Sequence, residues 1–217
     1  MTNFISEEVY GYAIKMANVL VKAGLNENRT SYGESSFHTW FNEKSFGSYG
    51  FEYYNGVSKV CLFHDALENY VIKFGFSDIA SQRDYCMIEY QNYQLAKENG
   101  FAAYFPYTDF LGNFDGVNFF IQERACCSED DITSKWYENM REVMEDYHDE
   151  SEDEDEFNSR VWDAVYDMDD IDRANLTFED DSFLDFLMEY EIGDLHEGNF
   201  GYIDDRIVII DFSGWKG

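Results

Sequence analysis

The residues near the carboxyl end of the chain have the types and the spacing that phosphoryl transfer needs. Asp194 and Asn199 stand five positions apart in the segment Gly193–Asn199, and Asp211 follows the unbroken apolar run 207–210. An aspartate can orient or deprotonate a hydroxyl group, while an asparagine and a second aspartate hold Mg²⁺ against phosphates. We therefore predict a catalytic set of Asp194, Asn199 and Asp211, with Asn199 and Asp211 as the metal ligands.

A tight β-hairpin is predicted to bring two of these side chains together. The strand segments Phe200–Ile203 and Arg206–Ile210 flank the turn Asp204–Asp205, a pattern that is typical of a hairpin. Asn199 and Asp211 stand at its open end, so we expect them to be neighbours. Aspartate and asparagine also cap turns without any catalytic role, so this spacing alone leaves both interpretations open.

A β-rich segment and a long helix are predicted in the first half of the chain. Residues 37–76 are rich in aromatic and β-branched side chains, and Tyr70–Phe74 belongs to the clearest strand pair. The long helix is expected over Ile79–Asn99. A further amphipathic helix is expected to begin at Ser6 and to end before Gly24.

Lys73 and Glu89 are charged residues at positions that these elements should bury. Lys73 interrupts its apolar strand, and Glu89 has apolar residues at helical spacing on both sides, which places it on the inner face of the helix. A buried ammonium group is costly unless an opposite charge pairs with it. We therefore expect a Lys73–Glu89 ion pair; the alternative is an edge lysine and a solvent-facing glutamate.

The composition predicts a folded protein and excludes some functional classes. The chain has 217 residues, 45% of them apolar, and Phe and Tyr together supply 37, which is far too aromatic for a disordered acidic tail. Its formal net charge is −30, and residues 128–191 alone hold 25 acidic and four basic residues. Because nucleic-acid affinity depends on Lys and Arg, direct nucleic-acid binding is excluded as the simple interpretation. Bound Mg²⁺ or a basic partner fits this charge better.

The cysteines and the apolar segments favour a cytoplasmic protein. Cys61, Cys86, Cys126 and Cys127 show no Cys-x-x-Cys spacing, so neither a zinc site nor a disulfide framework is predicted, and we expect reduced, mostly buried thiols. No stretch approaches the ~18 apolar residues of a membrane span, and the first residues do not resemble a signal peptide.

Taken together, these motifs resemble those of the protein-kinase-like superfamily. The resemblance covers Val57–Asp211, with a gap over the acidic helices, and Gly193–Asn199 is nearer in form to aminoglycoside and choline phosphotransferases than to eukaryotic protein kinases. It implies an α+β, two-lobed fold. Residues 1–123 would form the N-terminal helix and a β-rich nucleotide-binding N-lobe, and residues 124–217 a reduced, acidic helical C-lobe with the catalytic-loop hairpin.

The resemblance also implies ATP and Mg²⁺ as cofactors, and transfer of the γ-phosphate to a hydroxyl acceptor. Lys73 would contact the α- and β-phosphates, with Glu89 as its partner. The strand that ends near Arg124 resembles the one that leads into the hinge, where backbone groups of Glu123 and Ala125 would meet adenine. The residues that would serve the acceptor hydroxyl and the metal are those named first: Asp194, Asn199 and Asp211.

Two features depart from that superfamily. Gly47, Gly50 and Gly56 do not form a Gly-x-Gly-x-x-Gly loop before Lys73, so the phosphates are expected to be held in another way. Six residues follow Asp211, so the helices that support the substrate in relatives are expected to be missing or rebuilt.

Two alternatives to a self-sufficient enzyme therefore stay open. In one, the chain is a degenerate kinase-like protein whose acidic region 128–191 binds a basic protein partner, as nucleic-acid mimics of bacterial viruses do. In the other, a second copy or another partner supplies the missing lobe, so a homo-oligomer is an expectation that light scattering would test.

Overall fold

The computed structural model describes residues 5–34, 36–79, 82–145 and 153–214. Within these ranges the chain has eight α-helices, a five-stranded antiparallel sheet and a separate two-stranded sheet, which confirms the mixed α+β class. The chain divides into two compact units. The first is Met1–Lys97 with Pro106–Arg124, and the second is Glu98–Phe105 with Ala125–Gly217. The finer assignment of residues 1–123 and 124–217 to kinase-like lobes stays a prediction.

The first unit is built on the five-stranded sheet. Its elements are α1 (Glu7–Lys22), α2 (Leu25–Asn28), α3 (Phe37–Glu43), β1 (Glu52–Asn55), β2 (Lys59–Phe63), β3 (Tyr70–Gly75), α4 (Tyr85–Asn99), β4 (Thr108–Phe114) and β5 (Val117–Glu123). The strands lie in the order β1-β2-β3-β5-β4, with antiparallel neighbours throughout. The expected strand pair is therefore β2 and β3, at the centre of the sheet.

The two faces of this sheet differ in chemistry because successive residues of a strand point to opposite sides. Val60 of β2 pairs with Phe74 of β3, and both are fully buried in the apolar core that includes the inner face of α1. Cys61 pairs with Lys73 and points to the other face. The sheet thus separates an apolar core from a face that carries charge.

Helix α1 follows its sequence signals closely. The Ser6 hydroxyl accepts the N–H of Val9 at 3.2 Å and caps the helix, while Gly24, just beyond the end, has a φ of +96°. The predicted inner face is buried: Val9, Ala13, Met16, Ala17 and Leu20. The prediction of a packing helix is confirmed.

The expectation of β structure from residue 37 onward is wrong for the segment that forms α3. The Ser36 hydroxyl accepts the N–H of Thr39 at 3.4 Å and caps this helix. Phe37, Trp40 and Phe41 are all buried, and their i, i+3, i+4 spacing places them on one helical face. The aromatic content suggested a strand, but the cap and the spacing decide in favour of a helix.

The long helix also begins later than predicted, at Tyr85 and not at Ile79. The Asp84 carboxylate accepts the N–H of Met87 at 3.1 Å, as an N-cap does, and Gln82 has a φ of +52°, which a helix does not allow. The predicted inner face of α4 is nevertheless buried: Cys86, Glu89, Tyr93 and Ala96.

The second unit is mostly helical and ends in a hairpin. Its elements are α5 (Glu129–Glu145), α6 (Glu154–Asp167), α7 (Asp170–Phe178), α8 (Asp181–Glu189), β6 (Phe200–Ile203) and β7 (Arg206–Ile209). The strands β6 and β7 pair antiparallel through the turn at residues 204–205. The predicted hairpin is confirmed, with its second strand one residue shorter than expected.

Part of the acidic excess of residues 128–191 serves the helices themselves. Asp153, Asp169 and Asp180 cap α6, α7 and α8, and each carboxylate accepts a backbone N–H of the first turn. Negative charge at a helix N-terminus is also favourable for the helix dipole. Residues 146–152 of this acidic region lie outside the described residues.

Two further expectations concern membranes and cysteines. None of the helices in the described ranges is long and apolar enough to cross a membrane. All four cysteines are free thiols, but the expectation that they are mostly buried is wrong, because Cys126 and Cys127 are exposed and Cys61 is half-buried. Only Cys86, on the inner face of α4, is fully enclosed among the four.

Candidate functional site

Three buried charged side chains form one cluster in the first unit. The Glu89 carboxylate accepts a hydrogen bond from the Lys73 ammonium at 2.9 Å through Oε2, and another from the Lys59 ammonium through Oε1. The exposed fraction is 5% for Lys59, 4% for Lys73 and 1% for Glu89. The expected Lys73–Glu89 ion pair is therefore present, and a second lysine shares it.

Strand register explains why both lysines reach one carboxylate. β2 and β3 are antiparallel, with Lys59 opposite Gly75 and Cys61 opposite Lys73. Residues that pair in this way share a face of the sheet, so Lys59 and Lys73 are diagonal neighbours on the same side. Glu89 meets them from the buried side of α4. The sequence thus builds the cluster from two strands and the helix that follows them.

The cluster also affects the thiol one helical turn before Glu89. Burial raises the pKa of Cys86 well above its ordinary value, and the Glu89 charge raises it further, while Lys59 and Lys73 act in the opposite direction. The Cys86 thiol therefore stays protonated at neutral pH. It packs as a small apolar group beside the charges and is not a nucleophile.

In the second unit, the segment Gly193–Asn199 forms a loop whose backbone is held by a carboxylate. Asp194 has a φ of +63°, a conformation that few residues other than glycine adopt. Its N–H donates to Asp170 Oδ2 at 2.7 Å, and the N–H of Leu195 donates to Asp170 Oδ1 at 3.1 Å. Both oxygens of Asp170, the first residue of α7, therefore fix the backbone that carries the Asp194 side chain.

Asn199 is tied to the same loop through its side chain. Its Nδ2 donates to the carbonyl oxygen of Asp194 at 2.6 Å, and the residue is 8% exposed. An asparagine amide has one donating and one accepting end. Because the donating end is bonded to the loop, Oδ1 is the end of Asn199 that can bind a metal ion.

Asp211 stands two residues after the end of β7. The N–H of Ile210 donates to the carbonyl oxygen of Asn199 at 2.9 Å, which extends the ladder beyond β6 and β7 by one step and pairs Asn199 with Ile210. The Ser213 hydroxyl donates to Asp211 Oδ1 at 3.0 Å. Asp211 therefore lies one position beyond the residue that pairs with Asn199, and the expectation that the Asn199 and Asp211 side chains are neighbours stays a prediction.

The residues after Asp211 fix its position. Phe212 is fully buried, and its ring centroid lies 4.8 Å from that of Phe105. Gly214 has a φ of +65°, and a Cβ atom there would stand 2.8 Å from the carbonyl oxygen of Glu191. Only glycine fits this approach without strain. The segment that follows the hairpin is thus packed against the turn that precedes the Asp194 loop.

Asn199 and Asp211 fit the kind of Mg²⁺ site that a nucleotide completes. Mg²⁺ takes oxygen ligands and commonly combines one or two carboxylates with phosphate oxygens and waters. One amide oxygen and one carboxylate would supply the share that the protein contributes. Within the described ranges, no group of three or more His, Cys, Asp and Glu residues is placed to hold a metal ion.

The predicted adenine contacts fall at the end of β5. The N–H of Glu123 donates to the carbonyl oxygen of Tyr107 at 2.8 Å, and its carboxylate accepts the N–H of Tyr107 at 3.3 Å. The contact of the Glu123 backbone with adenine stays a prediction. Ala125 is the next residue but one, and Cys126 after it exchanges two backbone hydrogen bonds with Tyr202, both at 2.8 Å.

The candidate residues thus form two sets, one in each unit. Lys73 and Glu89 belong to the first unit, whereas Asp194, Asn199 and Asp211 belong to the second. The structure brings Lys73 to Glu89 and the Asn199 side chain to the backbone of Asp194. The expectation that both sets serve one nucleotide stays a prediction.

Sequence reasoning missed two residues of these sets. Lys59 stands near the start of the predicted strand segment 57–63, where a lysine is typical of an exposed strand end. Lys59 stands two positions before Cys61, the residue that pairs with Lys73. Residues two positions apart share a face of the strand, so this spacing was the available signal. Asp170 gave no signal, because its contacts are with the backbone of residues 24 and 25 positions later.

Comparisons with known proteins add little at the level of function. No protein-family model matches the sequence, and no curated protein matches it. Among solved structures, the crystal structure of an aminoglycoside phosphotransferase from Alicyclobacillus acidocaldarius subsp. acidocaldarius DSM 446 is similar, with 15% sequence identity and a TM-score of 0.32. The match covers 75% of this chain and 61% of that one, so the chain spans less than two thirds of that structure. At these values the likeness carries no argument about function.

Proposed function

We propose that this protein binds ATP with Mg²⁺ and transfers the γ-phosphate to a hydroxyl acceptor, as a kinase-like phosphotransferase. The observation that carries the proposal is the loop Gly193–Asn199 of the second unit, which a hydrogen bond from the Asn199 side chain closes. Its Asn199 amide holds the Asp194 backbone at 2.6 Å, at the open end of the hairpin that leads into Asp211. This arrangement supports a role for Asp194 at the acceptor and for Asn199 and Asp211 as oxygen ligands of a metal ion, the parts that phosphoryl transfer requires.

In the proposed reaction, Asp194 accepts a hydrogen bond from the acceptor hydroxyl and takes its proton. The acceptor oxygen bonds to the γ-phosphorus, the bond from that phosphorus to the β–γ bridging oxygen breaks, and ADP leaves. Mg²⁺ held by Asn199 and Asp211 would neutralise charge on the phosphates. Because Asp170 fixes the backbone of Asp194, the carboxylate keeps its position during the transfer.

The first unit would hold the nucleotide. Lys73, oriented by Glu89 at 2.9 Å, would contact the α- and β-phosphates, and the backbone of Glu123 and Ala125 would contact adenine. A chain with a net charge of −30 repels a nucleotide tetra-anion unless cations offset that charge. Lys73 and the metal ion would supply this compensation.

The first test measures nucleotide binding and turnover together. ATP with Mg²⁺ is expected to raise the melting temperature of the parent protein. At a ligand concentration 100-fold above Kd, binding adds about 2.7 kcal/mol to the free energy of unfolding. Asp211→Ala should abolish this rise. Asp205→Ala removes the same charge from the exposed turn of the same hairpin and should keep it. Incubation with γ-labelled ATP and cell extract then measures transfer.

The outcome that overturns the proposal is a parent protein that shows no melting shift with ATP and Mg²⁺. A shift without any labelled product would retain nucleotide binding and reject transfer. Equal loss of the shift in Asp211→Ala and Asp205→Ala would reject the assigned metal ligand, since both variants lose one carboxylate from the hairpin.

A second candidate function is binding of a basic protein partner through residues 128–191. The observation that favours it is the excess of acids: this region holds 25 acidic and four basic residues, and none of α5, α6, α7 and α8 has a basic residue in its last turn. The protein would then be a degenerate kinase-like fold and not an enzyme. An immobilised oligo-arginine peptide should capture it, with an affinity that falls steeply with salt. Capture that survives Asp194→Ala, without ATP turnover in the parent, would favour this function.

A further inference from the structure

We infer that Lys59 is a second phosphate-binding lysine, which contacts the polyphosphate of the nucleotide together with Lys73. The inference rests on the proposed function and adds a residue that the sequence motifs did not indicate. The observation that carries it is the shared carboxylate: Glu89 binds both ammonium groups, one through each of its oxygens.

The shared carboxylate aligns the two lysines for one ligand. Lys59 and Lys73 project from the same face of β2 and β3 at diagonal positions, and Glu89 fixes both side chains. An ammonium group has three N–H donors, so one lysine can donate to a carboxylate oxygen and to a phosphate oxygen at the same time.

The β1–β2 turn explains why a second lysine is needed. It comprises residues 56–58 and is closed by the N–H of Gly56, which donates to the carbonyl oxygen of Lys59 at 3.1 Å. Val57 at its tip is 78% exposed. Gly56 is the one glycine of this segment, whereas glycine-rich loops use several glycines to let backbone N–H groups approach phosphates closely. Lys59, the first residue of β2, supplies a cationic donor where a glycine-rich turn would supply amides.

The burial of this cluster also favours a binding role over a structural one. A buried ion pair or triad is commonly no more stabilising than apolar residues of the same volume. For packing between α4 and the sheet alone, two buried lysines bound to one glutamate would add no stability over apolar side chains. Charged groups retained at such a cost are typical of functional sites.

The experiment measures the Kd of ATP with Mg²⁺ by titration calorimetry for the parent and three variants. Lys59→Met should weaken binding about 10-fold or more, since hydrogen bonds to charged groups contribute strongly. Lys59→Arg, which keeps the charge, should recover part of that loss. Lys97→Met removes the same charge from the exposed side of α4 and should bind like the parent. Circular dichroism checks that each variant is folded.

Three outcomes of this experiment test the role of Lys59 separately from the proposed function. If Lys59→Met is folded and binds ATP as tightly as Lys97→Met, the inference is overturned, while the proposed function stands on Lys73 alone. If the parent itself does not bind ATP with Mg²⁺, the proposed function fails and the inference fails with it. If Lys59→Met does not fold, Lys59→Gln carries the test, since glutamine removes the charge but can still donate to Glu89, and an ATP affinity equal to that of Lys97→Met would overturn the inference.

Discussion

Glu89 keeps two buried ammonium groups of the first unit at close range. Without its charge, the two lysines that it binds would repel each other inside the unit. We expect Glu89→Gln to lower the free energy of unfolding by about 3–5 kcal/mol, the usual cost of breaking a buried ion pair. Lys59→Met leaves the Lys73–Glu89 pair intact, so it should cost only about 1 kcal/mol. Urea denaturation measures both.

The matched control for Glu89→Gln is Glu98→Gln, at an exposed position of the same helix. It should change the stability by less than about 0.5 kcal/mol. A Glu89→Gln variant as stable as this control would contradict the assigned burial of the charge cluster.

Asp170 is a positioning residue for Asp194, and its removal should separate turnover from binding. Asp170→Ala leaves the N–H groups of Asp194 and Leu195 without their acceptor, at a cost of about 1–3 kcal/mol for each group that stays buried. Because the backbone of Asp194 is then free to leave its left-handed conformation, we expect kcat to fall about 10-fold or more. The KM for ATP should change little. Steady-state kinetics measure both constants.

Asp172→Ala is the control for this prediction, since Asp172 is an exposed acid in the same first turn of α7. Both variants lose one negative charge at the helix N-terminus, and Asp170→Ala loses in addition the loop contact and an ion pair to Arg173. A parallel loss of kcat in the two variants would assign the effect to α7 and not to the loop.

At the scale of elements, helix α8 is attached to residues 98–105 by a hydrogen bond that depends on pH. The Tyr104 hydroxyl donates to Asp180 Oδ2 at 2.5 Å. This bond raises the pKa of Tyr104 to about 12 and, with the N–H groups of Phe183 and Ser182, lowers the pKa of Asp180. The Asp180 contribution to stability is therefore present above the pKa of an unfolded Asp, about 3.9, and is lost as pH falls through its lower folded pKa.

Tyr104→Phe should accordingly lower the melting temperature most at pH values between the pKa of Asp180 and the pKa of Tyr104. The Tyr104 contribution is complete below the pKa of an unfolded tyrosine, about 10, and is lost as pH rises toward 12. We expect the difference between parent and variant to be largest near neutral pH and to shrink in strong acid and strong base. Tyr32→Phe, at a highly exposed tyrosine, should show no such pH dependence.

The elements that the sequence predicted well are those whose local signals agree. The hairpin β6–β7 combines a turn of two aspartates with an unbroken apolar run, and α1 combines a serine cap with an apolar stripe. The sequence failed at α3, where the β propensity of aromatic residues competed with a serine cap and helical spacing. It also failed at the start of α4, a boundary that the Asp84 cap and the positive φ of Gln82 fix. The contacts of Asp170, with residues 24 and 25 positions later in the chain, have no local signal at all.

At the scale of the whole molecule, the charge of the chain should make its stability depend on salt. Residues 128–191 carry a net charge of −21, and repulsion within this region is screened over about 10 Å at 0.1 M salt. We expect the melting temperature to rise between about 0.01 M and about 0.3 M NaCl. A melting temperature that does not change with salt would show that the helical caps already compensate the acids.

A pair of substitutions localises this effect. Asp163 and Asp167 are exposed acids in the second half of α6, where negative charge also opposes the helix dipole. The double variant Asp163→Asn, Asp167→Asn should melt higher than the parent at low salt and show a smaller salt dependence. Changing Glu7 and Glu8 to glutamine, at the favourable end of α1, should instead lower the melting temperature.

The hydrogen bond from Asn199 to the Asp194 carbonyl limits what natural variation can do at this position. The side chain must give a proton to a peptide oxygen and, in the proposed role, offer a lone pair to a cation. Aspartate retains the lone pairs but has no proton to give when ionised, and leucine of similar size offers neither. Loss of activity on replacing Asn199 would therefore combine two defects: the loop loses a hydrogen bond, and the metal ion loses a ligand. Only a short side chain that both donates and accepts can replace Asn199 without loss of one of these functions.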